Sequence, residues 1–289
     1  MAAAPTPSVV VFPNFAGGCV GRLACNGDAA EVASALRLVP AAPDQAGAAY
    51  LARAIRFNAG IGFVTTFSFR ISGNGEAMRA DGLAFVLARD PTSLGDPSRY
   101  GGSMGFEGIG KSFAVEFDVF DNGNEVGGSN HIALDRNGVL SDAAAASPFG
   151  NSVCNGSTVG ATCMANGETW TATIGYNAID HEISVAVING NGATDLVIDA
   201  APANLDDLLD PTGVYVGFSA GTGDGRMNHD ITAWTLVPGN PNIRATTPQS
   251  WSLAVDAELT ANATDIPEPA SATLLALALT ALAARRRRP

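Results

Sequence analysis

The sequence predicts an all-β chain, an antiparallel β-sandwich or jelly roll followed by a linker and a short hydrophobic C-terminal helix. Three observations carry that prediction. Apolar and polar residues alternate over several short segments, Asn-Gly pairs punctuate them, and no segment before the tail has helical periodicity. Many strands without a βαβ rhythm mean two packed antiparallel sheets.

The longest alternation places Phe63, Thr65, Phe67, Phe69 and Ile71 on one face and Val64, Thr66, Ser68 and Arg70 on the other. Trp170, Ala172 and Ile174 repeat the pattern, as do Ile183, Val185 and Val187. Asn74-Gly75, Asn166-Gly167 and Asn189-Gly190 supply the turn chemistry that hairpins need. With 289 residues the chain holds one large β domain or two small ones. The patterned region, residues 9–237, reads as one domain. Residues 238–265 read as a linker opened by Pro238-Gly239-Asn240-Pro241, although Trp251, Leu253 and Val255 alternate as a stray strand would.

Composition excludes one function class. The net charge is −12 and only 15% of residues are charged. A nucleic-acid surface needs clustered Lys and Arg, so no nucleic-acid partner is expected. The four cysteines form two close pairs, Cys19 with Cys25 and Cys154 with Cys163, which read as local disulfides of an oxidising compartment. Their spacings match no zinc motif.

The strand over 112–120 carries the chemistry. Phe113, Val115, Phe117 and Val119 point to one face, and Ala114, Glu116 and Asp118 to the other. Two carboxylates on an apolar strand are costly unless something pairs with them, and a divalent cation does so directly. Asp121, Asn122, Asn124 and Glu125 follow in a Gly-rich loop, and His131 returns an imidazole suited to a transition metal.

Val115 to Asp135, VEFDVFDNGNEVGGSNHIALD, resembles the metal-binding stretch of legume (L-type, concanavalin-like) lectins. The resemblance implies that Glu116, Asp118 and His131 hold a transition metal such as Mn2+. It implies that Asp118, Asn122 and the Phe120 carbonyl hold Ca2+. The family also uses a bridging Asp a few residues before the His, which this sequence lacks; Glu125 is the nearest carboxylate and the expected substitute.

Three further segments resemble the same family in the same order. Ala80 to Leu87 is similar to the strand whose Asp accepts hydrogen bonds from sugar hydroxyls, which implies Asp81, held by a cis Ala80-Asp81 peptide. Tyr100 to Phe106 is similar to the loop offering a backbone N–H, implied at Gly102. Val216 to Gly223 and His229 to Trp234 resemble the last core strands and the specificity loop between them, implying Gly221 and Thr222 as sugar contacts. Asn26 to Ala29 and Ala35 to Leu38 match the opening strands more loosely. Asp81, Asn122 and a backbone N–H would converge on two neighbouring hydroxyls of a glycan or exopolysaccharide, with Phe120 stacking on the sugar ring. No chemistry on the sugar is implied. Such sandwiches also pair through a flat back sheet, so a homo-oligomer is one expectation.

Some residues read as plain structure. His181 and His229 read as surface or loop residues, and Asp206, Asp207 and Asp210 as a solvated turn. The rival function is a β-jelly-roll glycoside hydrolase, because Glu116-x-Asp118-x-x-Asp121 approaches a Glu-x-Asp-x-x-Glu array. Its shortened last carboxylate disfavours retaining chemistry. A structural matrix protein with a degenerate lectin site is the third reading.

The C-terminal segment, residues 266–289, reads as an address. Pro267-Glu268-Pro269 precedes the apolar run from Thr273 to Ala284 and then Arg285 to Arg288. The run is shorter than the roughly 20 residues of a spanning helix, and the arginines would hold its end on the cytoplasmic side. All three parts resemble the PEP-CTERM sorting signal of Gram-negative bacteria. That resemblance implies an exosortase partner, only transient membrane contact, and delivery to the cell surface or extracellular matrix. Cleavage after Pro269 would remove four arginines and move the net charge from −12 to −16. Met1 to Ser8 shows no basic segment of a signal peptide, so an upstream start is the expectation that reconciles the two ends.

Overall fold

The computed structural model describes residues 9–57, 60–73, 78–123, 126–154, 158–209 and 212–239. Asn74-Gly75, Asn124, Glu125, Asp210, the linker beyond Gly239 and the C-terminal segment lie outside these residues.

In chain order the strands are β1 (Val10–Phe12), β2 (Leu23–Gly27), β3 (Ala30–Val32), β4 (Ala35–Val39) and β5 (Gln45–Leu51). Then come β6 (Phe63–Ser72), β7 (Gly82–Ala88), β8 (Ser112–Asp118), β9 (His131–Arg136) and β10 (Val139–Ala146). The last are β11 (Trp170–Asn177), β12 (Glu182–Ile188), β13 (Thr194–Pro202), β14 (Tyr215–Thr222) and β15 (Asn228–Pro238). They form two antiparallel sheets. The back sheet runs β13-β12-β11-β6-β15-β4-β3, with β1 also on β15, and the front sheet runs β10-β9-β8-β7-β14-β5-β2. This is the two-layer sandwich that the alternating sequence predicts.

Aromatic rings join the layers. Phe67 of β6 lies edge-on to Phe218 of β14 and to Phe117 of β8, with centroids 4.9 and 5.5 Å apart. Phe218 in turn meets Trp234 of β15 at 5.0 Å. These rings are almost fully buried, and each contributes about 1.5–3 kcal/mol through removal from water. A second, smaller core lies on the outer face of the front sheet. There Ala84, Val86 and Ala114 are covered by Leu94, Met104, Phe106 and Ile109 from the 89–111 connection. This connection therefore sits against the sheet and carries its glycine-rich turn to the ends of β7 and β8.

Asn189-Gly190 does mark a hairpin, but the β12–β13 turn spans five residues between Ile188 and Thr194, with Gly192 at φ +78°. Asn166-Gly167 instead leads into β11, where the Asn166 side-chain Oδ1 accepts from Glu168 N and Trp170 Nε1. Both expected disulfides are formed, Cys19–Cys25 and Cys154–Cys163.

His229 corrects the sequence reading. It is fully buried in β15, opposite Ile71 and Val39, two residues before the core Ile231. Period-two alternation fixes it inward; a lone His gave no such warning in sequence. Burial, partly opposed by the Met227 backbone, pushes its imidazole pKa down to about 3.

Candidate functional site

One cross-strand row organises the site. Gly221 of β14 pairs with Gly82 of β7, Gly82 with Asp118 of β8, and Asp118 with His131 of β9. Directly opposed residues share a face, so Asp118 and His131 point the same way. Glu116, paired with Ala133, lies two residues along on that face.

At the β7 end the Ala80-Asp81 peptide is cis. Asp81 is buried, its N–H donates to Gly221 O at 3.1 Å, and its carbonyl accepts from Val119 N at 2.8 Å. Its position is thereby tied to the ends of β14 and β8. Two glycines permit the loops to close in. A Cβ on Gly102 would stand 2.6 Å from Asn122 Nδ2, and one on Gly221 would stand 2.4 Å from Gly101 O. A Cβ on Gly223 would lie 3.6 Å from Asp81 Oδ2. The structure thus brings Asp81, Gly102, Asn122 and the 221–223 turn together. Phe120 follows at half exposure, its N–H donating to Asp118 Oδ1 at 2.6 Å.

Thr222 does not offer its side chain outward. It is buried, and its hydroxyl donates to Ala42 O at 2.7 Å while accepting from Gln45 N at 3.1 Å. It braces the 40–45 loop instead.

At the β9 end His131 is fully buried. Its Nδ1 lies 2.7 Å from Gly128 O, and a carbonyl only accepts, so Nδ1 donates to it, the arrangement that leaves Nε2 as the ligand atom. Nε2 then faces Glu116 Oε1 at 3.4 Å and Asp142 Oδ1 at 3.8 Å. Both distances are long for a direct hydrogen bond. Nε2 and Glu116 Oε1 are buried with no hydrogen-bond partner among the described residues. Ligand atoms of Glu116, His131 and Asp142 all lie within 4.8 Å of one another. Nitrogen and oxygen bind a small divalent ion at about 2.0–2.2 Å, so two ligands of one ion stand at most about 4.4 Å apart. The 3.4 and 3.8 Å separations from His131 Nε2 fall within that span, so these donors fit a cation.

Electrostatics agrees. Burial first, then the neighbouring carboxyls of Asp135 and Asp142, push the Glu116 pKa up to about 11. Asp135 is raised too, mainly by burial, although Ser141 N donates to its Oδ1 at 2.6 Å. A cation would offset the mutual repulsion of these carboxylates.

Sequence reasoning missed two residues. Asp142 sits in an edge strand of small residues, and only the β9–β10 pairing brings it to His131. Asn130 is fully buried beside His131. Its amide donates to Asn151 O and Thr162 O at 2.7 and 3.0 Å and accepts from Met164 N at 3.1 Å. It binds the disulfide loop of Cys154 and Cys163 to the start of β9. Polar Asn before a His carries no such message in sequence.

The family model described as "Legume lectin domain" matches residues 10–251. A lectin of Leucomphalos mildbraedii is 32% identical over 184 residues, 60% of this chain and 68% of that protein. The galactose-binding lectin of Arachis hypogaea is 33% identical over 179 residues, 60% and 59% respectively. Lectin 8 of Medicago truncatula is 29% identical, and the match spans 63% of its length. Among solved structures, the Lotus tetragonolobus seed lectin superposes with a TM-score of 0.67 at 24% identity, over 80% of this chain and 98% of that one. The relatives are lectins, not enzymes. The chain belongs to the legume lectin domain family.

Proposed function

We propose that this protein is an exported lectin that binds glycans or exopolysaccharide through a shallow, metal-stabilised site, without chemistry on the sugar. The convergence of Asp81, Gly102 and Asn122 at one end of a cross-strand row, with the cation-fitting donors at the other, carries this reading. Asp81 offers a carboxylate acceptor, Gly102 a backbone N–H and Asn122 an amide, the set that two neighbouring hydroxyls require. Phe120 is the aromatic for the sugar's apolar face. A transition metal on Glu116, His131 and Asp118, with Ca2+ on Asp118, Asn122 and the Phe120 carbonyl, would fix the loop that carries Asn122. The metals supply no step; they hold that loop in place.

The hydrolase alternative is not favoured. Asp121 is exposed and its carboxylate accepts from Gly123 N at 2.7 Å, so it does not stand beside Glu116 and Asp118 as a third catalytic carboxyl. Export to the cell surface or matrix of a Gram-negative bacterium, after exosortase cleavage, rests on the Pro-Glu-Pro, apolar and arginine pattern. The two disulfides accord with an oxidising destination. Self-association would raise the strength of weak single sites through multivalency.

A glycan array probed with the wild type and Asp81→Ala tests the proposal. Binding by the wild type and loss in the variant are expected. Sugar release from a β-glucan would overturn it, and no glycan bound by the wild type would leave a structural matrix role in its place.

A further inference from the structure

Glu116 of β8 and His131 of β9 face a third ligand atom that comes from outside the loop between those strands, the carboxylate of Asp142 in β10. We propose that Asp142 of β10 is a metal ligand, and that one transition-metal ion is held jointly by Glu116, His131 and Asp142. The assignment rests on the metal-stabilised reading above and names the residue that completes its cation site.

The pairing of β9 with β10 shows how the side chain gets there. Leu134 pairs with Ala143 and Arg136 with Val139. One residue, Asp135, therefore opposes three, Leu140, Ser141 and Asp142. That is a β-bulge, which re-aims a side chain and bends its strand. Asp142 takes a left-handed conformation at φ +47°, uncommon outside glycine but favoured by Asp and Asn. Ser141, beside it, fastens the bulge by donating its N–H to Asp135 Oδ1 at 2.6 Å.

The two carboxylate oxygens then do different work. Oδ1 lies 3.8 Å from His131 Nε2, inside the group formed with Glu116. Oδ2 accepts the N–H of Val126 at 3.0 Å. Val126 belongs to the loop between β8 and β9, so Asp142 fastens that loop and faces the ion position at once. A cluster of acids alone would not identify a site. Here His131 Nε2 and Glu116 Oε1 are buried, aimed into the cluster and without a hydrogen-bond partner among the described residues. Two acceptors face each other, and a third acceptor is brought toward them by a bulge. A cation satisfies all three.

The test is Mn2+ binding to the chelator-stripped full chain, read by electron paramagnetic resonance and by calorimetry. Asp142→Asn keeps an acceptor for Val126 N but loses the anionic ligand, so a merely structural role would survive it. Loss of more than about 100-fold in Mn2+ affinity is expected, beyond what an outer-sphere partner costs. Glu125→Gln should leave the affinity within a few-fold of wild type. Val126→Asp in the Asp142→Asn background should restore binding by supplying a carboxylate from the residue that Asp142 contacts. If Asp142→Asn unfolds early in EDTA, Asp142→Ser repeats the comparison. A folded variant of either kind with wild-type affinity overturns the assignment while leaving the metal site standing. A wild type that takes up no Mn2+ overturns both.

Discussion

Asp118 lies directly opposite His131 in the β8–β9 ladder, and that pairing joins the two halves of the site. On its other side Asp118 pairs with Gly82, the residue after Asp81. Adjacent strands stand about 4.8 Å apart, so a displacement of the loop at either end is felt at the other within a few strand spacings.

Cation removal should therefore lower stability. An ion bound only by the folded chain adds about 2.7 kcal/mol at a concentration 100 times its Kd. Thermal unfolding of the wild type in EDTA and in excess Ca2+ and Mn2+ should give a higher midpoint with metal. In His131→Ala the Mn2+ contribution should vanish. Equal midpoints for the stripped and loaded wild type would contradict this.

His229 sets an acid limit of its own. An ordinary imidazole titrates near pH 6.5, whereas this one is pushed down to about 3 by burial. Between those values the unfolded chain holds a proton that the folded chain does not. Stability contributed by the neutral ring is full above about pH 6.5 and falls on acidification, by at most about 1.4 kcal/mol per pH unit. Urea midpoints between pH 7 and pH 5 should fall less steeply in His229→Leu than in the wild type. Parallel slopes would sink the assignment.

Asn130 should behave as a structural hub. Asn130→Ala removes two donors and one acceptor from a buried loop junction, leaving backbone groups without partners. A loss of about 2–4 kcal/mol is expected from equilibrium denaturation, together with weaker Mn2+ binding, since the loop braces the start of β9. A change below about 0.5 kcal/mol would show that water replaces the amide.

Gly102 tests the closeness of the sugar-side loops. In Gly102→Ala the new methyl would meet Asn122 Nδ2 at 2.6 Å, and the exposed amide must swing aside. Glycan affinity should drop about tenfold, equivalent to about 1.4 kcal/mol, with the thermal midpoint nearly unchanged. Unaltered affinity would remove Asn122 from the sugar contacts.

Much of this was legible in the sequence because alternation maps onto faces. The apolar face of Phe113, Val115 and Phe117 and the outward Glu116 and Asp118 follow from period two alone, and the front-sheet ladder keeps that register. The cis bond at Ala80-Asp81 and the approach of Gly102 to Asn122 followed from the family resemblance. Asp142 and the inward His229 were not legible. A bulge changes which residues share a face, and nothing in a run of Ser, Asp and Ala marks where the extra residues enter. The inward turn of the Thr222 hydroxyl, which is taken up by Ala42 and Gln45, was not legible either.

The central claim is that cations hold the glycan site in shape. Its most direct test is one preparation of wild-type protein taken through a cycle, with glycan binding followed by surface plasmon resonance against the strongest array hit. Binding should be lost after EDTA and dialysis and should return on adding Ca2+ with Mn2+, while Asp81→Ala stays silent throughout. Full binding by a chain shown by elemental analysis to be metal-free would contradict the account.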